Sequence, residues 1–226
     1  MAVYTEVSFA DASALVERLA IGTLQSLAPC AGGIENTNYF ATTSNGRFVL
    51  TLFERLTAAE LPFYLRLMKH LADHGLPVPA PQADAHGELL FSLHGKPATV
   101  VERLPGEHHL APDAADCAAL GAVLARMHVA GRSFALAQPN LRGLAWWNET
   151  VPVVLPLIAP EQAELMADEL AWQQRLAASP AFQALPRGVV HGDLFRDNVM
   201  FENGLLTGVF DFYFAGCDTL LFDIGV

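Results

Sequence analysis

Gly188-Val-Val-His-Gly-Asp-Leu-Phe-Arg-Asp-Asn-Val-Met-Phe201 sets an apolar strand, a loop of polar groups and a second apolar strand in a row. An Asn203-Gly204 turn follows, and Leu205 to Phe210 reads as a third strand that delivers Asp211. Asp193, Asn198 and Asp211 are therefore expected at the ends of short paired strands, where a rigid backbone can aim them at one point. The Asp211 carboxylate and the Asn198 amide oxygen are hard donors of the kind Mg²⁺ takes. Asp193 precedes Asn198 by five residues and is placed to accept a proton without being consumed as a ligand. His191 belongs to the same loop, and bracing it by hydrogen bonding suits this residue better than chemistry. Taken singly, each residue has a plainer reading: a satisfied core histidine, a turn, a strand end. Their joint spacing between apolar strands carries the case.

Working outward, the N-terminal half alternates extended segments with turn signals. An amphipathic helix over about Asp11 to Ala20 is followed by a break at Ala28 to Gly33 and an extended run from Glu35 to Thr43. Asn45-Gly46 then predicts a hairpin into Arg47-Phe-Val-Leu-Thr-Leu-Phe53. Thr57-Ala-Ala-Glu60 has capping-box spacing before Leu61, Tyr64, Leu65, Met68 and Leu71, a helix ended by Gly75. Two further strands, about Glu88 to Leu93 and Pro97 to Glu102, meet at His94-Gly95. Beyond Pro105-Gly106 the chain turns mainly helical, with helices opened by Pro112-Asp113 and by Pro160-Glu161. This predicts an α+β protein of two lobes: residues 1–103, a sheet lobe, and residues 104–226, a largely helical one.

The charge balance is 13 basic against 24 acidic residues, a formal net charge of −11. It repels phosphate backbones and anionic headgroups, so neither nucleic acid nor a membrane surface is expected as a partner. Cys30, Cys117 and Cys217 are odd in number and widely spaced, which reads as reduced thiols in a cytoplasmic protein. No apolar run approaches the roughly 20 residues of a membrane-spanning helix, and the N-terminus shows no basic segment leading into an apolar stretch, so no export is expected. Hydrophobic content of 52% and mean hydropathy of +0.30 point to a large interior or an apolar face that wants covering. His108-His109 lacks a third ligand at sensible spacing, and Trp146-Trp147 reads as core or pocket wall.

His191-x-Asp193-x-x-x-x-Asn198 followed by Asp211 resembles the kinase catalytic loop and metal-binding aspartate, in the His-Gly-Asp form of aminoglycoside phosphotransferases and choline kinases. More narrowly, Gly32-Gly-Ile-Glu-Asn-Thr-Asn-Tyr39, Phe48-Val-Leu-Thr-Leu-Phe-Glu54, the catalytic loop and Asp211-Phe-Tyr-Phe214 resemble the homoserine kinases of that superfamily. The resemblance runs over essentially the whole chain. It implies a protein-kinase-like two-lobed fold, ATP and Mg²⁺ as cosubstrate and cofactor, and transfer of the γ-phosphoryl to the L-homoserine hydroxyl on the route to threonine. Asp193 would be the base; Asn198 and Asp211 would hold the metal. The loop from Gly33 and Ile34 through Asn36 to Asn38 would cover the phosphates, Val49 would roof the adenine, and Glu102 to Leu104 would offer hinge backbone to its edge. Asn36, Arg196 and Tyr213 are candidates for the amino-acid substrate, with Arg196 able to take either the γ-phosphate or a substrate carboxylate; Asp218 and Asp223 match acidic positions that follow the metal aspartate, and Asp223 would anchor the catalytic loop from beneath.

Two departures stand out. Kinases place a phosphate-binding lysine two residues past the adenine-roofing position, where this chain has Thr51; without it, Glu60 is better read as a capping residue than as a lysine partner. Relatives continue past the Asp223-Ile-Gly225 region with more helices, so the C-terminal lobe is expected to be incomplete. A phosphotransferase for another small alcohol, such as an aminoglycoside, choline or a sugar, and a nucleotide-binding relative without catalysis remain alternatives.

Overall fold

A computed structural model describes residues 4–30 and 35–226. The chain divides into two compact units, Met1–Ala130 with Arg196–Phe210, and Gly131–Phe195 with Asp211–Val226.

The first unit is built on an antiparallel five-stranded sheet in the order β1-β2-β3-β5-β4, from β1 (Leu24–Pro29), β2 (Asn36–Thr43), β3 (Gly46–Phe53), β4 (Phe91–Leu93) and β5 (Lys96–Glu102). Period-2 alternation sorts its side chains cleanly. Tyr39, Ala41, Phe48, Leu50, Leu52, Ala98 and Val100 form one face and pack in one cluster with Ala12, Leu15 and Val16 of α1 (Phe9–Arg18) and with Leu19 just beyond it. Each fully buried aliphatic or aromatic side chain there contributes roughly 1.5–3 kcal/mol. Ser8 caps α1 by accepting the Asp11 N–H at 3.1 Å, and Arg18 in its last turn meets the buried Asp84 at 2.7 Å. That guanidinium holds the Asp84 carboxyl below the usual carboxylate range. Helix α2 (Leu61–Asp73) buries Leu61, Phe63, Tyr64, Leu65, Leu67, Met68 and Leu71, a wider stripe than its spacing alone predicts.

The hairpin read at Asn45-Gly46 is present, but its loop is Ser44-Asn45, with Thr43 paired to Gly46. The left-handed two-residue turns occur elsewhere, at His94-Gly95 (φ 51° and 76°) and Asn203-Gly204 (φ 53° and 74°). Glu60 reaches back to the Thr57 N–H at 2.8 Å as a capping box requires, closing a turn ahead of the regular helix. β1, running through the expected break as far as Pro29, is an edge strand, where proline is tolerated.

The unit continues into α3 (Ala114–Gly131), whose Asp113 carboxylate accepts the N–H groups of Ala115 and Asp116. It also holds an antiparallel pair, β7 (Val199–Glu202) and β8 (Leu205–Val209). In the second unit are α4 (Leu144–Val154), α5 (Pro160–Ala177), α6 (Pro180–Gln183), the antiparallel pair β6 (Arg187–Val190) and β9 (Gly216–Thr219), and α7 (Leu221–Gly225). The strand at 187–190 thus pairs with β9, a partner too short and polar to announce itself. Among the described residues, no helix is long and apolar enough to cross a membrane.

Candidate active site

The predicted site residues are shared between the units: Asn36, Asn38, Val49, Glu102, Leu104, Arg196 and Asn198 lie in the first, His191, Asp193, Asp211 and Tyr213 in the second. Gly33 and Ile34 lie outside the described residues.

In the first unit, the sheet face turned away from α1 carries Asn36, Asn38 and Phe40 of β2, paired with Phe53, Thr51 and Val49 of β3. β5 adds Thr99 and Val101 to the same face. Burial is graded across it: Phe53 and Thr99 are buried, whereas Asn36, Asn38, Phe40 and Val49 are half-buried. An apolar patch at Val49 and a row of carboxamides at Asn36 and Asn38 therefore share one accessible surface. Thr51 donates its hydroxyl to Asn38 Oδ1 at 2.7 Å.

At the end of β5, the Glu102 N–H goes to the Ala80 carbonyl and the Arg103 N–H to the Arg47 carbonyl, each at 3.0 Å. The Glu102 carbonyl and the Leu104 N–H stand outside those pairings. The segment that follows is sewn to the β7–β8 pair. Glu107 and Phe201 exchange two backbone hydrogen bonds of 2.9 Å, and Thr207 donates to the Pro105 carbonyl at 2.6 Å. Leu104 fills the space above Gly208, where a Cβ would come within 2.4 Å of its Cδ1. The same pair is flanked by Asn198, 7% exposed, whose carbonyl accepts the Phe210 N–H at 3.0 Å. Asp211 is the next residue in the chain. Arg196 stands exposed on the short 3-10 turn Arg196–Asn198.

In the second unit, the loop after β6 is anchored by one carboxylate. Asp223, 5% exposed, accepts the His191 N–H at 3.0 Å and the Gly192 N–H at 2.8 Å, one on each oxygen. His191 is buried, packs its ring against Phe212 at 4.5 Å between centroids, and accepts the Asp193 N–H on Nδ1 at 3.2 Å. It braces Asp193 in the way the sequence suggests. Gly192 has φ 80°, and a Cβ there would sit 2.7 Å from the Phe214 carbonyl oxygen, so the loop closes onto the segment after Asp211 only with glycine. Leu194 is buried beside the half-buried Asp193.

Asp211 is left-handed, with φ 65° and ψ 60°, a region where Asp and Asn are the non-glycine residues of choice. It leads into the 3-10 turn Phe212–Phe214, whose Tyr213 phenol is pushed up by burial and secondarily by the Asp211 carboxylate. Among the described residues, no group of three or more His, Cys, Asp or Glu side chains is disposed around a metal. His109 instead stacks on Phe201 and pairs with Asp116 at 2.9 Å, and His108 Nδ1 donates to the Val199 carbonyl at 3.2 Å.

A family model described as the phosphotransferase enzyme family matches residues 26–226. A homoserine kinase of Polaromonas naphthalenivorans (strain CJ2) is 62% identical over 226 residues, which is all of this chain and 72% of that protein. The chain belongs to the homoserine kinase family. A second member of the family, from Janthinobacterium sp. (strain Marseille), is 51% identical over the whole chain, which covers 70% of it. Among solved structures, an amicoumacin kinase in complex with AMP-PNP, Ca²⁺ and Ami superposes with a TM-score of 0.69 at 22% identity, over 95% of this chain and 67% of that one. The macrolide 2'-phosphotransferase MphH from Brachybacterium faecium gives 0.63 at 21%, over 94% and 74%. These likenesses fix the fold as that of kinase-like phosphotransferases.

Sequence reading missed Asn140 among the residues that hold this family member's loops. Asn140 donates from Nδ2 to Asp218 at 2.9 Å, and its backbone lies under Gly216, where a Cβ would meet Asn140 Cα at 2.8 Å. Asp218 also receives Arg187 at 3.4 Å, so this acidic position ties β6 and β9 to the segment before α4. Asn140 and Asp218 are 78 residues apart, and no local pattern marks such a pair.

Proposed function

We propose that this protein transfers the γ-phosphoryl group of ATP to the side-chain hydroxyl of L-homoserine, yielding ADP, O-phospho-L-homoserine and a proton. The observation that carries the acceptor is the 62% identity to a homoserine kinase across every residue of the chain. The geometry supports the reaction type: a loop bearing Asp193 is held by Asp223 and His191, and a second carboxylate, Asp211, is presented from a left-handed residue.

In this reading Asp193 accepts the hydroxyl proton of the acceptor while the oxygen attacks phosphorus. The Asn198 amide oxygen and the Asp211 carboxylate suit a hard divalent cation and would hold Mg²⁺, which neutralises charge on the phosphates when bound. Val49 roofs the adenine, and the Glu102 carbonyl with the Leu104 N–H offers an acceptor and a donor to its edge. Residues 33–38 cover the phosphates, with Gly33, Ile34, Asn36 and Asn38 as contacts. Because Leu104 packs on Gly208 in the hairpin flanked by Asn198, the adenine edge and one metal ligand belong to a single packed piece. Arg196 is a cation for the substrate carboxylate, with Asn36 and Tyr213 lining the amino-acid site. The nucleotide lobe is residues 1–103 and the catalytic lobe 104–226, and the compartment is the cytoplasm.

The test is ADP release with a panel of acceptors: L-homoserine, choline, an aminoglycoside and a sugar. Preference for L-homoserine is expected, and preference for another acceptor overturns the assignment. Asp193→Asn is expected to lower kcat on the order of 10²–10⁴-fold with little change in ATP affinity. Equal loss of ATP binding would make Asp193 a metal ligand.

A further inference from the structure

The sheet face that carries Val49 raises a question of charge: where kinases set a lysine against the phosphates, this chain has Thr51. Thr51 is 6% exposed, on the third strand of the sheet. Its cross-strand partner on β2 is Asn38, and its partner on β5 is Thr99. The Thr99 hydroxyl is already committed to the Leu89 carbonyl at 2.8 Å. A buried hydroxyl must place its proton on an acceptor, and Thr51 places it on Asn38 Oδ1, 2.7 Å away.

That bond decides which end of the Asn38 carboxamide is left for another partner. With Oδ1 engaged from the β3 side by Thr51, the carboxamide is held in one orientation. No described residue takes up its NH₂ group, and no buried side-chain nitrogen or oxygen among the described residues is left without a partner, so the group is open to solvent. The Asn38 backbone is fixed from both sides, by its pairing with Thr51 on β3 and by the Cys30 N–H, which donates to its carbonyl at 2.8 Å. A donor on a central strand, two residues along β2 from Phe40 and thus from the Val49 register, is set off from the adenine patch in the direction of the loop that precedes β2.

We propose that Thr51 is a positioning residue and that, through it, Asn38 supplies the direct hydrogen bond to the nucleotide phosphates that a lysine supplies elsewhere. This rests on the nucleotide reading given above. The substitution exchanges a mobile point charge for an oriented dipole. The unprotonated carboxamide oxygen would repel a phosphate, so an Asn free to flip would be a poor substitute. The threonine hydroxyl removes that ambiguity by engaging the oxygen.

The experiment measures binding of ATP and of adenosine, each with Mg²⁺ present, to the whole chain and to its variants by calorimetry, with steady-state KM and kcat alongside. Thr51→Val keeps the shape and removes the hydroxyl; it is expected to weaken ATP roughly fivefold and leave adenosine unchanged. Thr51→Ser keeps the donor and is expected to stay within about twofold of the parent for both ligands. Asn38→Ala, which removes the phosphate donor itself, is expected to weaken ATP about tenfold or more while adenosine is held. A Thr51→Val protein that binds ATP like the parent overturns the proposal, as does one that loses ATP and adenosine in equal measure. A parent chain that binds neither ligand would sink the nucleotide reading itself, a result distinct from a parent that binds ATP and a variant that does so equally well.

Discussion

Replacing Asp223 separates the folding of the catalytic loop from the binding of substrates. Its two oxygens accept the N–H groups of His191 and Gly192 at 3.0 and 2.8 Å, and the residue is 5% exposed. A hydrogen bond to a charged partner contributes roughly 1.5–3 kcal/mol, so Asp223→Ala removes on the order of 3–6 kcal/mol and leaves two loop donors unsatisfied. That is a large share of the about 5–15 kcal/mol by which a domain is stable. Asp223→Asn keeps one acceptor and turns an NH₂ toward the other donor, so its cost falls between. Urea unfolding is expected to show this order: parent, Asn, Ala. The kinetic consequence is sharper. Because His191 and Gly192 precede Asp193 directly, a loosened loop displaces the proposed base, and an ångström of misplacement costs about 10²-fold. We expect kcat to fall by at least that factor in Asp223→Ala while the KM for ATP moves less than about threefold. A variant with the parent's urea midpoint and kcat would refute the brace.

Gly192→Ala adds a Cβ 2.7 Å from the Phe214 carbonyl oxygen at φ 80°, whereas Gly204→Ala, at φ 74°, meets nothing within 4 Å. Both incur the left-handed cost of about 1–2 kcal/mol, but only the first also clashes with backbone. Thermal melts are expected to place Gly192→Ala several degrees below Gly204→Ala, and equal melting temperatures would contradict the close approach. Burial raises the Glu54 carboxyl, but hydrogen bonds from Lys96, Thr37 and Thr5 outweigh it and hold the group below its ordinary 4.5. A carboxylate depressed in the folded state stabilises above its unfolded pKa and loses that contribution as pH falls through the folded one. The urea-midpoint advantage of the parent over Glu54→Gln is thus expected in full at pH 7 and to shrink as the pH drops well below 4.5. An advantage unchanged down to pH 3 would show that Glu54 does not act through its charge.

Legibility in the sequence tracked how local the determining contact is. The Leu205–Val209 strand, the His94-Gly95 turn and the long helices came through because their causes lie within a few residues: an Asn-Gly turn, a left-handed dipeptide, a proline at a helix start. The loop from His191 to Asn198 was legible through the spacing of its own polar residues, although its bracing is only partly local: His191 accepts the Asp193 N–H, whereas Asp223 holds His191 and Gly192 from some 30 residues away. What stayed hidden is held from a distance. Strand β9 is defined by its pairing with Arg187–Val190 and carries only four residues of mixed polarity. Asn140 acquires its role from Asp218, and Lys96 from Glu54 and Thr5. The Thr51 departure was visible as a missing charge, but its compensation required the register that sets it opposite Asn38.

The left-handed backbone at Asp211 has an implication for how this position can change over generations. Its φ of 65° is uncomfortable for any residue that branches at Cβ and for most others, independently of what its carboxylate does. Drift toward valine, isoleucine or threonine is blocked by the backbone before catalysis is ever sampled. The substitutions the backbone tolerates best, glycine and asparagine, are those that, in the role proposed for Asp211, would leave a well-folded protein with a weakened or absent cation site. On that reading, loss of activity at residue 211 is structurally easy, and a folded homologue with glycine there is expected to have abandoned the reaction.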